Sequence, residues 1–156
     1  MRSLPDSEAL SRIVIALLAD AAFVFAEPAS AAMPSNEDPL VARLTIEHGE
    51  TWELCVCVQG DLGSMLAANL LGTESESSEA HAAASDAVGE MTNILAGALS
   101  VEIFGKDVVC HIGIPVVAVE PGRTLASRLA KSACRANLVT EEGYLLSVAL
   151  GPQGDS

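Results

Sequence analysis

Aromatic residues are scarce in this chain: three Phe, one Trp and one Tyr among 156 residues. Stacking on bases or sugar rings therefore has no platform, and the core has to be assembled from Ala, Val, Leu and Ile. Positive charge is scarce as well. Eight Lys and Arg face 21 Asp and Glu, a formal net charge of −13, with a pI near 4.4. Such a field repels a polyanion, and no basic run with interleaved aromatics offsets it, so nucleic acid is not an expected partner. Also missing are a Gly-rich phosphate loop, a nucleophile elbow, a His-Glu-x-x-His helix and a paired-carboxylate constellation, which removes the enzyme classes those motifs serve. His48, His81 and His111 stand far apart without ligand-like spacing and suit surface or satisfied core positions.

The four cysteines form no C-x-x-C pair. Cys55 and Cys57, two apart in a strand-like run, face the same way, but a thiolate metal site needs two further ligands, so they read as small buried hydrophobes, as do Cys110 and Cys134. Unpaired thiols fit a reducing compartment, and a cytoplasmic location is expected. No membrane span is expected either. The apolar run from Ile13 to Ala26 is broken by Asp20 and is too short to cross a bilayer. Asp6 and Glu8 offset Arg2 and Arg12 where a signal peptide wants net positive charge, so a folded first helix is the expectation, capped by Asp6 or Ser7. The run Ala29-Ser30-Ala31-Ala32 leaves a cleaved secretory signal as the alternative.

What remains is enough apolar material for one domain spanning 1–156. Residues 27–39, with Pro28, Pro34 and Pro39, read as a loop. Leu40–His48 and Thr51–Gln59 alternate around His48-Gly49-Glu50, placing Val41, Leu44 and Ile46 against Trp52, Leu54 and Val56 in a hairpin. Asp61–Leu71 has helical spacing with Gly72 as its stop. Residues 73–79 form an acidic connection into a second helix, about 78–99. Val101–Phe104 and Val108–Val119 read as strands, the latter broken by Gly113 and Pro115 into an edge strand or bulge. A basic connection follows, whose Arg123, Arg128, Lys131 and Arg135 either balance local acidic charge or mark a docking patch. Ala136–Val139 pairs with Tyr144–Leu150, and 151–156 is a polar, frayed tail. This order predicts an α+β domain with a largely antiparallel sheet and helices packed on one face.

The chemistry sits on the helix Ser85–Leu99. At about 100° per residue, Val88, Met91, Leu95 and Leu99 share one side, while Asp86, Glu90, Asn93 and Gly97 gather within about 60° on the opposite side. A carboxylate and a carboxamide are thus presented together, next to a small residue that lets another surface come close to the backbone.

The Glu90-x-x-Asn93 signature within Asp86–Gly97, together with Ile112-Gly113-Ile114-Pro115-Val116-Val117, resembles the CheC/CheX family of chemotaxis phosphatases. The likeness is to CheX rather than CheC, since the first helix carries Glu8-x-x-Ser11 and no second Glu-x-x-Asn. The resemblance implies a CheC-like fold and hydrolysis of the aspartyl-phosphate of a CheY-like receiver. Asn93 would orient the attacking water, Glu90 would pair with the receiver's lysine, and Asp86 and Gly97 would contact the partner. Carboxamides suit water positioning because they donate and accept without adding charge beside phosphoryl oxygens. No cofactor is expected on this chain, and Mg2+ is expected on the receiver. The resemblance also allows a non-catalytic adaptor of the same fold, binding a receiver or forming a homodimer through a sheet edge.

Overall fold

The computed structural model describes residues 4–31, 33, 34, 36–72, 74 and 77–153. Ala32 of the signal-like run, Thr73, Ser75 and Glu76 of the acidic connection, and the last three residues of the tail lie outside the described residues. Elements run α1 (Ser7–Ala22), β1 (Ala26–Pro28), β2 (Leu40–His48), β3 (Glu50–Val58), α2 (Gly60–Leu71), α3 (Ser78–Phe104), β4 (His111–Ile112), β5 (Val116–Val119), α4 (Gly122–Leu129), β6 (Cys134–Thr140) and β7 (Leu145–Pro152).

Local chemistry accounts for most boundaries. Asp6 caps α1 by accepting from the Ala9 N–H at 2.7 Å, and Ser77 caps α3 by accepting from Ala80 N–H at 3.1 Å; each satisfies a donor the helix leaves orphaned. Gly72 ends α2 at φ 73°, its N–H donating to Ala68 O, the left-handed stop that glycine adopts without strain. The strands form one antiparallel sheet ordered β1-β6-β7-β3-β2-β4, with β5 also paired to β2. The hairpin β2/β3 pairs Leu40 with Val58 through His48 with Glu50, as the alternation predicts.

On one face, α1, α2 and α3 cover Ala42, Leu44, Ile46, Leu54, Val56, Leu138 and Val148. Leu10, Val14, Leu18 and Ala22 bring α1 into this core at a regular one-turn spacing. The opposite face carries a smaller cluster in which Leu125 and Leu129 of α4 cover Val41, Cys55, Cys57 and Ala149. Here the structure corrects the sequence reading twice. Val41 lies on the face away from Leu44 and Ile46, because an odd residue cannot share a pleat face with even ones. The stretch holding Arg123 and Arg128 is a helix, not a connection: its apolar stripe is only Leu125 and Leu129, too short a pattern to stand out between the two arginines. Cys55 and Cys57 do face the same way, with their sulfurs 3.6 Å apart.

Three further boundaries differ from expectation. Val101–Phe104 continues α3, since Ile103 follows Leu99 at helical spacing and both it and Phe104 are buried; packing outweighs the β-propensity of the run. Ala26–Pro28, partly inside the expected loop, pairs with Leu138–Thr140 as an edge strand. Finally, β7 runs to Pro152, and Gln153 N–H donates to Thr51 O at 3.0 Å, which orders the start of the expected tail.

The interrupted edge strand that β4 and β5 form along β2 positions the candidate helix. In β4, Ile112 pairs with Ile46; in β5, Val116 pairs with Arg43. Three residues, Gly113, Ile114 and Pro115, therefore oppose two, Leu44 and Thr45, which is a bulge in one interrupted edge strand. Gly113 is required there: its N–H donates to Thr45 O at 2.8 Å, and a Cβ would stand 2.7 Å from Thr45 Oγ1. The bulge throws Ile114 outward, 88% exposed. Beside it, Gly89 of α3 is buried, and a Cβ on it would meet Val117 Cγ2 at 3.3 Å and Pro115 Cβ at 3.8 Å. Below the bulge, Arg43 holds the end of β5 through Glu120, with Nε–Oε2 at 2.9 Å and Nη2–Oε1 at 2.8 Å, and reaches Glu53 at 3.0 Å.

Two outcomes follow from these contacts. The hydrogen bonds from Arg43 hold the Glu120 carboxyl below its ordinary pKa, against the opposing effect of burial. The pair's contribution is thus present above the unfolded carboxylate pKa of about 4.3 and is lost as pH falls through the lower folded value. Glu120→Gln should cost about 1 kcal/mol at neutral pH, and urea unfolding should show the gap to the parent closing as Glu120 becomes protonated; a gap that persists in acid would exclude the ion pair as its source. Gly89→Val should destabilise by about 1–3 kcal/mol through overpacking against β5. By contrast Gly97→Ala, where a Cβ meets nothing within 4 Å, should stabilise by about 0.5–1 kcal/mol through helix propensity; equal melting temperatures for the two variants would refute the close approach.

Candidate functional site

The 27 residues of α3 extend about 40 Å at 1.5 Å per residue. By length and composition the helix could cross a membrane, but 56% of its most apolar window is buried inside the fold. Its inner side is the core: Val88, Met91, Leu95 and Leu99 are all buried, together with Ala87, Thr92, Ala96 and Ile103. Thr92 solves its own burial by donating from Oγ1 to Val88 O at 2.7 Å. On the outer side Asp86, Glu90 and Asn93 are exposed and Gly97 is half-buried. The two-sided helix expected from the spacing is therefore what folds.

Three of the four sequence-derived residues converge. Asp86, Glu90 and Asn93 line an open groove of about 490 Å³ whose opposite wall is Ile112, Gly113, Ile114, Pro115 and Val117 of the bulged edge. Gly97 is not part of this lining and stands one turn beyond it. The side-chain hydrogen bonds that α3 makes belong to His81, Thr92 and Ser100. Glu90 and Asn93 are bound to no described residue, so both present their full hydrogen-bonding capacity outward. Asn93 brings two donors and an acceptor, and Glu90 one turn earlier brings an anion, over a wall that is otherwise apolar.

The sequence reading missed the residues that hold this arrangement. Gly89 lies on the flank between the apolar and polar sides of α3, and it sets the helix against β5. The only available signal was its cost, about 1 kcal/mol relative to alanine in a helix interior, and Gly97 carries the same cost with nothing within 4 Å of a Cβ. Ile114 was legible only as part of a strand; its outward projection depends on the bulge register. Among the described residues no group of three or more His, Cys, Asp or Glu is placed to hold a metal ion. The groove by itself has neither a nucleophile with its base nor a phosphate clamp, so its chemistry requires a substrate that supplies the rest.

Comparison with known proteins identifies the fold and the family. No curated protein matches the chain by sequence. In structure it is similar to chemotaxis protein CheX from Vibrio vulnificus, at 16% identity and TM-score 0.66 over 90% of this chain and 93% of that one. It is equally similar to CheX from Desulfovibrio desulfuricans, at 14% identity and TM-score 0.68 over 94% and 98%. A third likeness is to the CheX–CheY–BeF3–Mg2+ complex from Borrelia burgdorferi, at 14% identity and TM-score 0.68 over 96% and 99%. These likenesses establish a shared fold, as the α+β reading anticipated. The sequence model of the chemotaxis phosphatase CheX matches residues 42–137, which takes in the whole groove and well over half of the chain. The chain belongs to the CheX family of chemotaxis phosphatases.

Proposed function

We propose that this protein hydrolyses the aspartyl-phosphate of a CheY-like receiver, with Glu90 and Asn93 entering the receiver's phosphorylated pocket from α3. The single observation that carries the reading is the exposed carboxylate and carboxamide one helical turn apart, unbound by any described residue, on the rim of a groove in a CheX-family fold. Further support comes from the Borrelia burgdorferi structure, in which a CheX of this fold is complexed with CheY, BeF3 and Mg2+.

The reaction needs little from this chain. Water attacks phosphorus, the phosphorus–oxygen bond to the aspartate breaks, the carboxylate leaves, and inorganic phosphate carries the water oxygen away. Charge on the phosphoryl oxygens is met on the receiver, where Mg2+ and a lysine belong to the substrate. What this chain adds is position. Asn93 accepts from the attacking water and holds it in line, and restricting its orientation can supply several kcal/mol of the barrier. Glu90 pairs with the receiver's lysine and sets the register of docking. Asp86 contributes a further acidic contact at the rim, and Gly97 leaves room for the receiver's surface above the groove. Ile114, nearly free of its own chain, supplies an apolar contact that burial on docking would reward by about 1–2 kcal/mol. The −13 net charge speeds encounter with a lysine-displaying surface.

Phosphate release from a phosphorylated receiver with Mg2+, measured with and without this protein, tests the reading. Asn93→Ala should reduce the rate at least 100-fold while binding to the receiver stays within about 3-fold, since it removes an interaction realised only in the transition state. Glu90→Lys should instead weaken binding through like charge, with the defect growing as salt is lowered. Ile114→Ala should raise KM by about 5- to 20-fold with kcat little changed, the signature of lost uniform binding. Parent-like hydrolysis by both Asn93→Ala and Glu90→Lys would overturn the assignment, and binding without any acceleration by the parent would make the protein an adaptor.

A further inference from the structure

The scarce cations of this chain are not scattered. Two adjoining depressions, of about 280 and 890 Å³, share Ser132 and Ala133 at the turn between α4 and β6. Their linings contain Arg43, Arg128, Lys131, Arg135 and Arg12, five of the eight Lys and Arg, against two carboxylates, Glu53 and Glu8. Adding Glu120, which lies 3.7 Å from Arg128 Nη1 and pairs with Arg43, still leaves a surplus of positive charge. In the chain as a whole the ratio is 8 to 21 the other way.

Three features of this groove point to an extended chain rather than a compact anion. First, Lys131, Arg135 and Arg12 make no ion pair with a described residue, so they line the path without being neutralised. Second, the walls between the cations are small: Ala16, Ala29, Ala130, Ala133 and Ala136 leave room for a backbone to lie close. Third, the sheet has an open edge here. β1 pairs only with Leu138–Thr140, and Ala29 N–H takes Asn137 O at 2.8 Å. Cys134–Ala136 of β6, bonded to β7 on one side, have no strand partner on the other among the described residues, and the larger depression lies along that side.

We propose that this groove is a docking site for an extended, acidic peptide segment of a partner protein, its backbone adding along the start of β6 and its carboxylates meeting Lys131, Arg135 and Arg12. Edge addition supplies main-chain hydrogen bonds, and alternate side chains supply charge selectivity. The site is separate from the Glu90–Asn93 groove, shares no lining residue with it, and does not depend on the phosphatase reading. A basic track on an otherwise acidic molecule also resists non-specific polyanions, whose length carries them into the surrounding negative field.

Fluorescence anisotropy of a labelled peptide of alternating aspartate and alanine, titrated with the full chain, tests the proposal. Saturable binding is expected, weakening as salt rises. The double variant Lys131→Glu with Arg135→Glu should weaken it at least 10-fold, as should Arg12→Glu on the separate element α1. Asn93→Ala should bind the peptide as the parent does. Thermal melts of the variants distinguish lost contacts from lost folding, and Arg12→Glu, which changes one exposed side chain on α1, provides the independent arm. Absence of saturable binding, binding indifferent to both sets of charge reversals, or equal affinity for a single-stranded oligonucleotide of the same charge would each overturn the proposal.

Discussion

The geometry of the candidate site depends on how close α3 comes to the edge of the sheet. At Gly89 the helix meets Val117 and Pro115 with no side chain of its own in between. That contact fixes the height of Glu90 and Asn93 over the bulged edge strand. A helix held one methyl group further out would still bury Val88, Met91, Leu95 and Leu99, because the core tolerates small shifts more readily than a site does. The relation between the polar pair and the wall it faces would be lost. The bulge is the other half of the constraint. With one residue extra between β4 and β5, and Gly113 pressed against Thr45, the strand turns Ile114 away from the sheet and into the groove wall.

The site is simple because it is incomplete. Asp86, Glu90 and Asn93 are solvent-exposed and, in the case of the pair, unbound to described residues, so ordering them on docking costs side-chain entropy. The rigid long helix keeps that cost confined to the side chains. An arrangement of this kind suits a reaction in which the substrate protein brings metal, lysine and phosphoryl group, and the catalyst brings geometry. On the proposed reading, such a division of labour needs only a few functional residues, and they can sit on a helix whose other side is ordinary core.

Charge separates the two outer surfaces. The Glu90–Asn93 groove carries carboxylates, while the groove around Lys131 and Arg135 collects most of the cations. The Arg43–Glu120–Glu53 network lies at the junction, tying β5 to the hairpin on the face covered by α4. On the two proposals above, one acidic chain attracts a lysine-bearing surface at one place and an acidic segment at another, each screened from the other by salt over about 8 Å.

The amino-acid sequence by itself determined the features governed by near neighbours: the two-sided period of α3, the start of α1 at a cap of Asp6 or Ser7, the Gly72 stop, the hairpin and the polar pair on the helix surface. It also carried the family likeness, through Glu90-x-x-Asn93 and the proline-containing strand. Its limits appear where distant residues decide. Val101–Phe104 has strand-like side chains but finishes a helix, because Ile103 and Phe104 find the core from there. The α4 stretch reads as a charged connection, because only two leucines seat this eight-residue helix, over Val41, Cys55 and Cys57 on the far face of the sheet. Only the tertiary structure decided that Gly89 would be the contact glycine and Gly97 the open one, and that Ile114 would point outward. Those outcomes depend on strand register and helix-to-sheet distance, which are set by residues separated in sequence and therefore leave no local pattern to read.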